Sequence, residues 1–315
     1  MSDASTAVRP SLRDPRNWPM FAAMFGAFAI ARLPWMLQRA LGRGVGWITW
    51  RLLGSRRRAA EVNLQLCFPE KDEAWRQRLV RDSFDALGVG VFECIRAWWG
   101  SIDRIRPQVR IEGLEHLRQM EAEGRGVLLV SGHFMTLEMC GRLLCDYVDL
   151  SGMYRKHKNP VYEWAVKFGR LRYAKAMFAN EDIRATVRHL KKGGFLWYAP
   201  DQDMRGKDTV FVPFFGVQAL TMTLVNRLAE RTGATVLYGW CERIGPDMEF
   251  ALHIEPTDPA VADPDPQVAA TALNAGIERI ARRDPSQYQW TYKRYTLRPP
   301  GSGEEDPYAT EEHPH

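Results

Sequence analysis

The run Val127-Leu128-Leu129-Val130-Ser131-Gly132-His133-Phe134-Met135-Thr136-Leu137-Glu138 decides how this chain is read. Its first four residues are apolar and uncharged, as in a buried strand; Ser131-Gly132 ends that strand, and a helical pattern starts near Met135. His133 therefore falls in a strand-to-helix turn, with Glu138 about one turn into the helix. A carboxylate behind an imidazole suits a general base, because it fixes the tautomer and raises the basicity of a ring that titrates near neutral pH. An H-x4-E spacing alone fits a structural histidine capped by an acid better than a base, so the surrounding sequence has to decide.

Outward from this run the texture alternates. Apolar β-type stretches at about 126–131, 149–154, 194–199, 234–241 and 248–254 are separated by helical patterns near 135–147, 160–169, 181–192, 219–232 and 266–283. That alternation predicts an α/β fold with a mixed, largely parallel central sheet flanked by helices. Ligands bind such sheets outside the carboxyl ends of the strands. His133 and Asp201 each directly follow a predicted strand, so one crevice can hold both. Upstream, Leu79, Val80, Phe84, Leu87, Val91, Phe92 and Ile95 give Arg76 to Trp99 a helical apolar stripe. No internal repeat is present.

With 315 residues, 45% of them apolar, and 11 Trp, the chain can bury a large core. Charge is unevenly placed: the first sixty residues carry ten Arg, two Asp and no Lys, whereas five acids and no Lys or Arg follow Pro299. A basic start points to an anionic partner there, and a polar, Pro-rich, acidic end to a flexible tail over 299–315. Cys67, Cys94, Cys140, Cys145 and Cys241 show no C-x-x-C pair and no metal-ligand spacing, so they read as reduced, packed thiols. After a tail over 1–16, residues 17–40 are apolar and uncharged up to Arg32. They are expected to form a membrane anchor or an interfacial helix, with the following arginines on the cytoplasmic side facing anionic headgroups. No nucleic-acid module is present, and the N-terminal basic residues adjoin an apolar segment, which argues against nucleic-acid binding.

His133-x4-Glu138 is followed in order by Met153-Tyr154-Arg155-Lys156-His157-Lys158-Asn159-Pro160, Trp197-Tyr198-Ala199-Pro200-Asp201-Gln202-Asp203, Phe211-Val212-Pro213-Phe214-Phe215-Gly216 and Gln287-Tyr288-Gln289-Trp290. The series, with Arg56-Arg57-Arg58 and Asn63-Leu64-Gln65-Leu66-Cys67-Phe68-Pro69-Glu70 before it, resembles the late acyltransferases of lipid A biosynthesis, the lauroyl/myristoyl transferase family. The resemblance covers about residues 20 to 300 and implies a glycerol-3-phosphate-acyltransferase-like fold, with the acyltransferase domain over 41–298.

What the resemblance implies for the chemistry is transfer of a fatty acyl group from a thioester to a hydroxyl. His133 is then the base and Glu138 its orienting partner, with no acyl-enzyme, because no nucleophile elbow is present. Arg170, in Gly169-Arg170-Leu171-Arg172, is the arginine expected to matter for activity; Arg155 and Arg172 join it as substrate-binding candidates, since a guanidinium matches two oxygens of a phosphate or oxyanion. Asp201 is expected to position a site residue, through Arg170, and neither it nor Asp203 is expected to hold a metal. Phe211 to Phe215 is too apolar for an ordinary exposed loop, and lines an acyl groove, touches the bilayer or packs in the core. No cofactor is implied. The expected donor is acyl-acyl-carrier-protein, which the basic residues Lys156, Lys158, Lys191 and Lys192 can dock. The expected acceptor is a lipid A precursor at the cell inner membrane, with the catalytic domain on the cytoplasmic side. Thr136-Leu137-Glu138 resembles the lauroyl branch. The competing readings are an acyltransferase for another hydroxylated membrane lipid, a catalytically silent lipid-binding protein and a metal-dependent hydrolase.

Overall fold

A computed structural model of the protein describes residues 6, 7, 9–202, 208–245 and 248–309. Its strands are Val109–Glu112 (β1), Val127–Val130 (β2), Leu150–Tyr154 (β3), Met177–Ala179 (β4), Phe195–Tyr198 (β5), Thr209–Phe214 (β6), Val217–Met222 (β7), Thr235–Arg243 (β8) and Phe250–Pro256 (β9). Its helices are Trp18–Ile30 (α1), Trp35–Leu52 (α2), Gly54–Cys67 (α3), Glu73–Trp99 (α4), Leu114–Ala122 (α5), Leu137–Leu144 (α6), Pro160–Arg170 (α7), Ile183–Lys191 (α8), Leu224–Thr232 (α9) and Pro266–Ala281 (α10).

Seven strands form one sheet in the order β1-β9-β8-β2-β5-β3-β4, with β6 and β7 apart as an antiparallel hairpin. β2 lies at the centre, parallel to β5 on one side and β8 on the other. β9 runs antiparallel to β8 and takes β1 with it, so the edge beyond β8 is reversed. The expected mixed, largely parallel sheet is therefore present. Residues of β2 and β5 are buried throughout, as strands covered by helices on both faces must be. Alternate side chains go to opposite faces. Leu128, Val130, Leu196 and Tyr198 pack with Leu190, Leu228 and Ile277 of α8, α9 and α10. Val127, Leu129, Phe195 and Trp197 pack with Met139, Leu143 and Ala165 of α6 and α7.

The helix expected over 219–232 starts only at Leu224. Residues 217–222 instead pair with β6 across a two-residue turn, Phe215-Gly216, in which both residues have positive φ (52° and 77°), as a type I′ hairpin requires. Phe214 and Phe215 are buried against Phe68, Tyr288 and Trp290, which puts this end of the segment in the core, while Pro213 is exposed.

α4 is the long support of the site. Asp72 caps its first turn by accepting from the Trp75 amide at 2.7 Å, and Glu73 adds favourable charge at its N-terminus. α2 crosses α4 with almost no side chain between them: a Cβ on Gly88 would lie 2.0 Å from the Gly42 carbonyl oxygen. The segment expected as one helix over 17–40 is broken at Arg32–Pro34, because Pro34 supplies no amide for a continuing helix. Gln38, fully buried, closes the break by donating to the Ile30 and Leu33 carbonyls at 2.9 Å each, and Arg96 donates to Leu33 at 2.8 Å. At 13 residues, α1 is about 20 Å long, short of a bilayer core. Among the described residues no helix is long and apolar enough to cross a membrane. The acidic end is not loose as far as residue 309: Tyr308 is buried and donates its hydroxyl to Asn63.

Candidate active site

β2 and β5 are neighbours and parallel, so the loops leaving their carboxyl ends emerge side by side. The first carries His133 and the second Asp201. Asp201 is 2% exposed, and its carboxylate takes three donors: the His133 amide at 2.8 Å, the His133 ring Nδ1 at 2.5 Å and the Tyr288 hydroxyl at 2.8 Å. Burial works against its charge, but His133 and the hydrogen bonds from His133 and Tyr288 outweigh it and hold the carboxyl below its ordinary range. With Nδ1 turned to Asp201, Nε2 is the ring nitrogen left over, and no hydrogen bond joins it to a described residue. The His133 side chain is 33% exposed and lines a cavity of about 720 Å³.

Glu138 stands in the first turn of α6, on the wall of the same cavity, with its bonds directed elsewhere. Arg170, at the end of α7, reaches both its oxygens from Nε at 3.2 Å and Oε1 again from Nη2. The Trp98 indole donates at 2.7 Å and the Tyr173 hydroxyl at 3.4 Å. Side chains of this pair are only 15% and 20% exposed. Burial alone would raise the Glu138 pKa; the Arg170 charge reverses that and leaves it lowered, while Glu138 raises Arg170 against its own burial.

Two expectations are corrected here. Asp201, and not Glu138, orients the imidazole, because the β5 loop lies beside His133 whereas α6 carries Glu138 toward α7. Asp201 accordingly acts on His133 directly and not through Arg170. Arg155, a substrate-binding candidate, lines the cavity. Arg172 does not: it donates to the Trp98 carbonyl, behind the indole that holds Glu138. Asp203 lies outside the described residues. The turn itself has few amides left for an oxyanion. Those of His133, Phe134, Met135 and Leu137 donate to Asp201, the Gly132 carbonyl, the Gln287 carbonyl and the Phe134 carbonyl respectively. A close backbone approach also fixes the turn: a Cβ on Gly90 of α4 would come within 2.8 Å of the Met135 carbonyl oxygen.

Residues 6–296 match the bacterial lipid A biosynthesis acyltransferase family. A lipid A biosynthesis lauroyltransferase of Escherichia coli (strain K12) is 34% identical over 293 residues, covering 92% of this chain and 95% of that enzyme. The chain belongs to this acyltransferase family. A palmitoleoyltransferase of the same organism is 33% identical over 91% of this chain and 94% of its own length, and a myristoyltransferase 26% identical over 92% and 91%. The chain is therefore an acyltransferase enzyme. Within this acyltransferase, sequence reasoning missed Tyr288, Trp98 and Tyr173, each joined to its carboxylate across dozens of residues. The only sign of Tyr288 was Gln287-Tyr288-Gln289-Trp290, a polar and aromatic run too short to carry a period.

Proposed function

We propose that this acyltransferase moves a saturated acyl chain of lauroyl length from acyl-acyl-carrier-protein to a hydroxyacyl group of Kdo-modified lipid IV A. The single observation that carries the mechanism is the imidazole of His133, tied at Nδ1 by a buried carboxylate and lining the cavity. Nε2 takes the proton of the acceptor hydroxyl as its oxygen attacks the thioester carbon. The tetrahedral adduct then collapses, the C–S bond breaks, and the imidazolium returns the proton to the departing thiolate. The products are an ester and a free thiol. With four turn amides already committed, Arg155 is the cation best suited to the oxyanion or to a phosphate of a substrate, and the Glu138–Arg170 pair shapes the wall.

The attachment we propose is interfacial, on the cytoplasmic face of the inner membrane. α1 and α2 expose Trp18, Phe25, Met36, Trp47 and Leu52, with Phe25 and Leu52 each 75% exposed, next to Arg43 and Arg51. Apolar side chains beside arginines match the boundary of an anionic bilayer. Met20, Ala23, Met24 and Ala27 of the same α1 line the cavity, which fits an acceptor that is itself a membrane lipid.

The test is purified protein incubated with acyl-carrier-protein thioesters of several chain lengths and with lipid A precursors, glycerophospholipids and aminolipids as acceptors. Thioester consumption is expected with the lipid A precursor and the lauroyl donor. Equal turnover with another hydroxylated lipid would replace the acceptor assignment, and no consumption with any acceptor would leave a binding protein.

A further inference from the structure

We propose that Tyr288 is a positioning residue for the His133 base, acting through Asp201; the inference rests on the reading of His133 given above. The Tyr288 hydroxyl donates to Oδ2 of Asp201 at 2.8 Å, the oxygen that also accepts the His133 amide, while Oδ1 takes the ring. A carboxylate turns easily about its last side-chain bond, since that torsion is broad. Three donors from three directions remove this freedom and present Oδ1 to Nδ1 in one orientation. Burial and the adjoining carboxylate push the Tyr288 phenol well above its ordinary range, so it stays protonated and remains a donor.

The phenol is itself held in place. Its ring sits among Phe134, Phe214 and Trp290, with centroids 5.5, 6.1 and 4.9 Å away. Its strand segment bridges the catalytic turn: the Met135 amide donates to the Gln287 carbonyl at 2.8 Å and the Gln289 amide to the His133 carbonyl at 3.1 Å. Gln287 is clamped in turn, accepting from the Arg243 amide at 2.9 Å and donating to Asp284 at 2.6 Å. Arg243 then forms a two-bond pair with buried Glu93 of α4, at 2.6 and 2.7 Å. A tyrosine that merely filled space would need none of this register.

The experiment is Tyr288→Phe, which keeps the ring and removes the donor, assayed with the same thioester and lipid A precursor. The expected result is a fall in kcat of about tenfold, the scale of one hydrogen bond to a charged group, with both KM values within about twofold. The acid limb of kcat/KM should also move to higher pH. Without the phenol, the Asp201 charge acts more fully on the ring and favours imidazolium, the form that cannot accept a proton. Other titratable or charged groups lining the cavity are Glu138 and Arg170, which neutralise each other, and Arg155, His157 and Cys94. Tyr154, Tyr162, Tyr198 and Tyr292 line it too, and Arg294 and Cys67 act on Tyr288 itself. The substitution alters none of these, so the displacement reports the phenol. In an Asp201→Asn background the Tyr288→Phe effect should vanish.

Wild-type kcat and an unmoved acid limb in Tyr288→Phe would overturn the inference while His133→Ala stayed inactive. Full turnover by His133→Ala would instead overturn the base assignment, and this inference with it. Should Tyr288→Phe fail to fold by circular dichroism, 3-fluorotyrosine at position 288 keeps the donor and makes it more acidic. The limb should then move to lower pH, and a stationary limb overturns the inference.

Discussion

Two carboxylates serve one cavity, Glu138 on its wall and Asp201 buried behind His133, and they differ in what they hold. Asp201 is almost wholly buried and grips an imidazole, a group that gains and loses a proton near neutral pH. Glu138 is gripped by a guanidinium, which stays charged at any pH the protein meets. The first arrangement leaves a proton free to move through Nε2. The second is a fixed ion pair, braced by Trp98 and Tyr173, that ties α6 to α7. Under the function proposed above, chemistry goes with the carboxylate that holds the imidazole, and architecture with the one in the ion pair.

That contrast breaks most sharply at Glu138. Glu138→Ala leaves Arg170 in a largely buried place without its acid, and should cost about 3 kcal/mol or more in denaturant unfolding. A stability unchanged by this substitution would mean that the pair does not brace the fold. His133→Ala should reverse the pattern: turnover falls by about 10²-fold or more while the protein still unfolds cooperatively. Asp201→Asn should fall between them, with turnover reduced about tenfold or more, because the amide presents an N–H donor where three donors already converge.

Acid sharpens the comparison further. Both carboxyls titrate below their unfolded values, so the unfolded chain binds more protons in that window. The stability they contribute is complete above about pH 5 and is lost as pH falls through their lowered pKa values. Urea midpoints measured from pH 6 down to pH 3 should therefore decline, and Asp201→Asn should decline less steeply. The smallest effect belongs to an exposed pair. Lys175 and Asp149 lie 58% and 77% exposed, and Lys175→Ala should change stability by under about 0.5 kcal/mol.

Much of the frame was legible because its signals are local. The uncharged runs at 127–130 and 195–198 mark strands covered on both faces, and the stripe over 76–99 marks α4, whose start Asp72 fixes. β1 and β4, at four and three residues, are too short to show a period, and β7 looked helical until the turn at Phe215-Gly216 folded it onto β6. At the site, His133 was legible as the residue of a strand-to-helix turn, and the structure sets it and Arg155 on one cavity. The pairing was not, because it depends on which strands become neighbours. β5 inserts beside β2 only in three dimensions, and that insertion brings Asp201 to the imidazole 68 residues away. Glu138 was the nearer acid in sequence, but a helix turns it toward Arg170.

The bridge between residues 133–135 and 287–289 also sets an order of assembly. A ribosome delivers the histidine long before the segment that seats it. The growing chain can close β2, β3 and β5 while the His133 turn still lacks its last two backbone partners. Seating of the His133 turn therefore waits on residues 287–289, and a product cut short before Gln287 would carry the cavity wall without those partners.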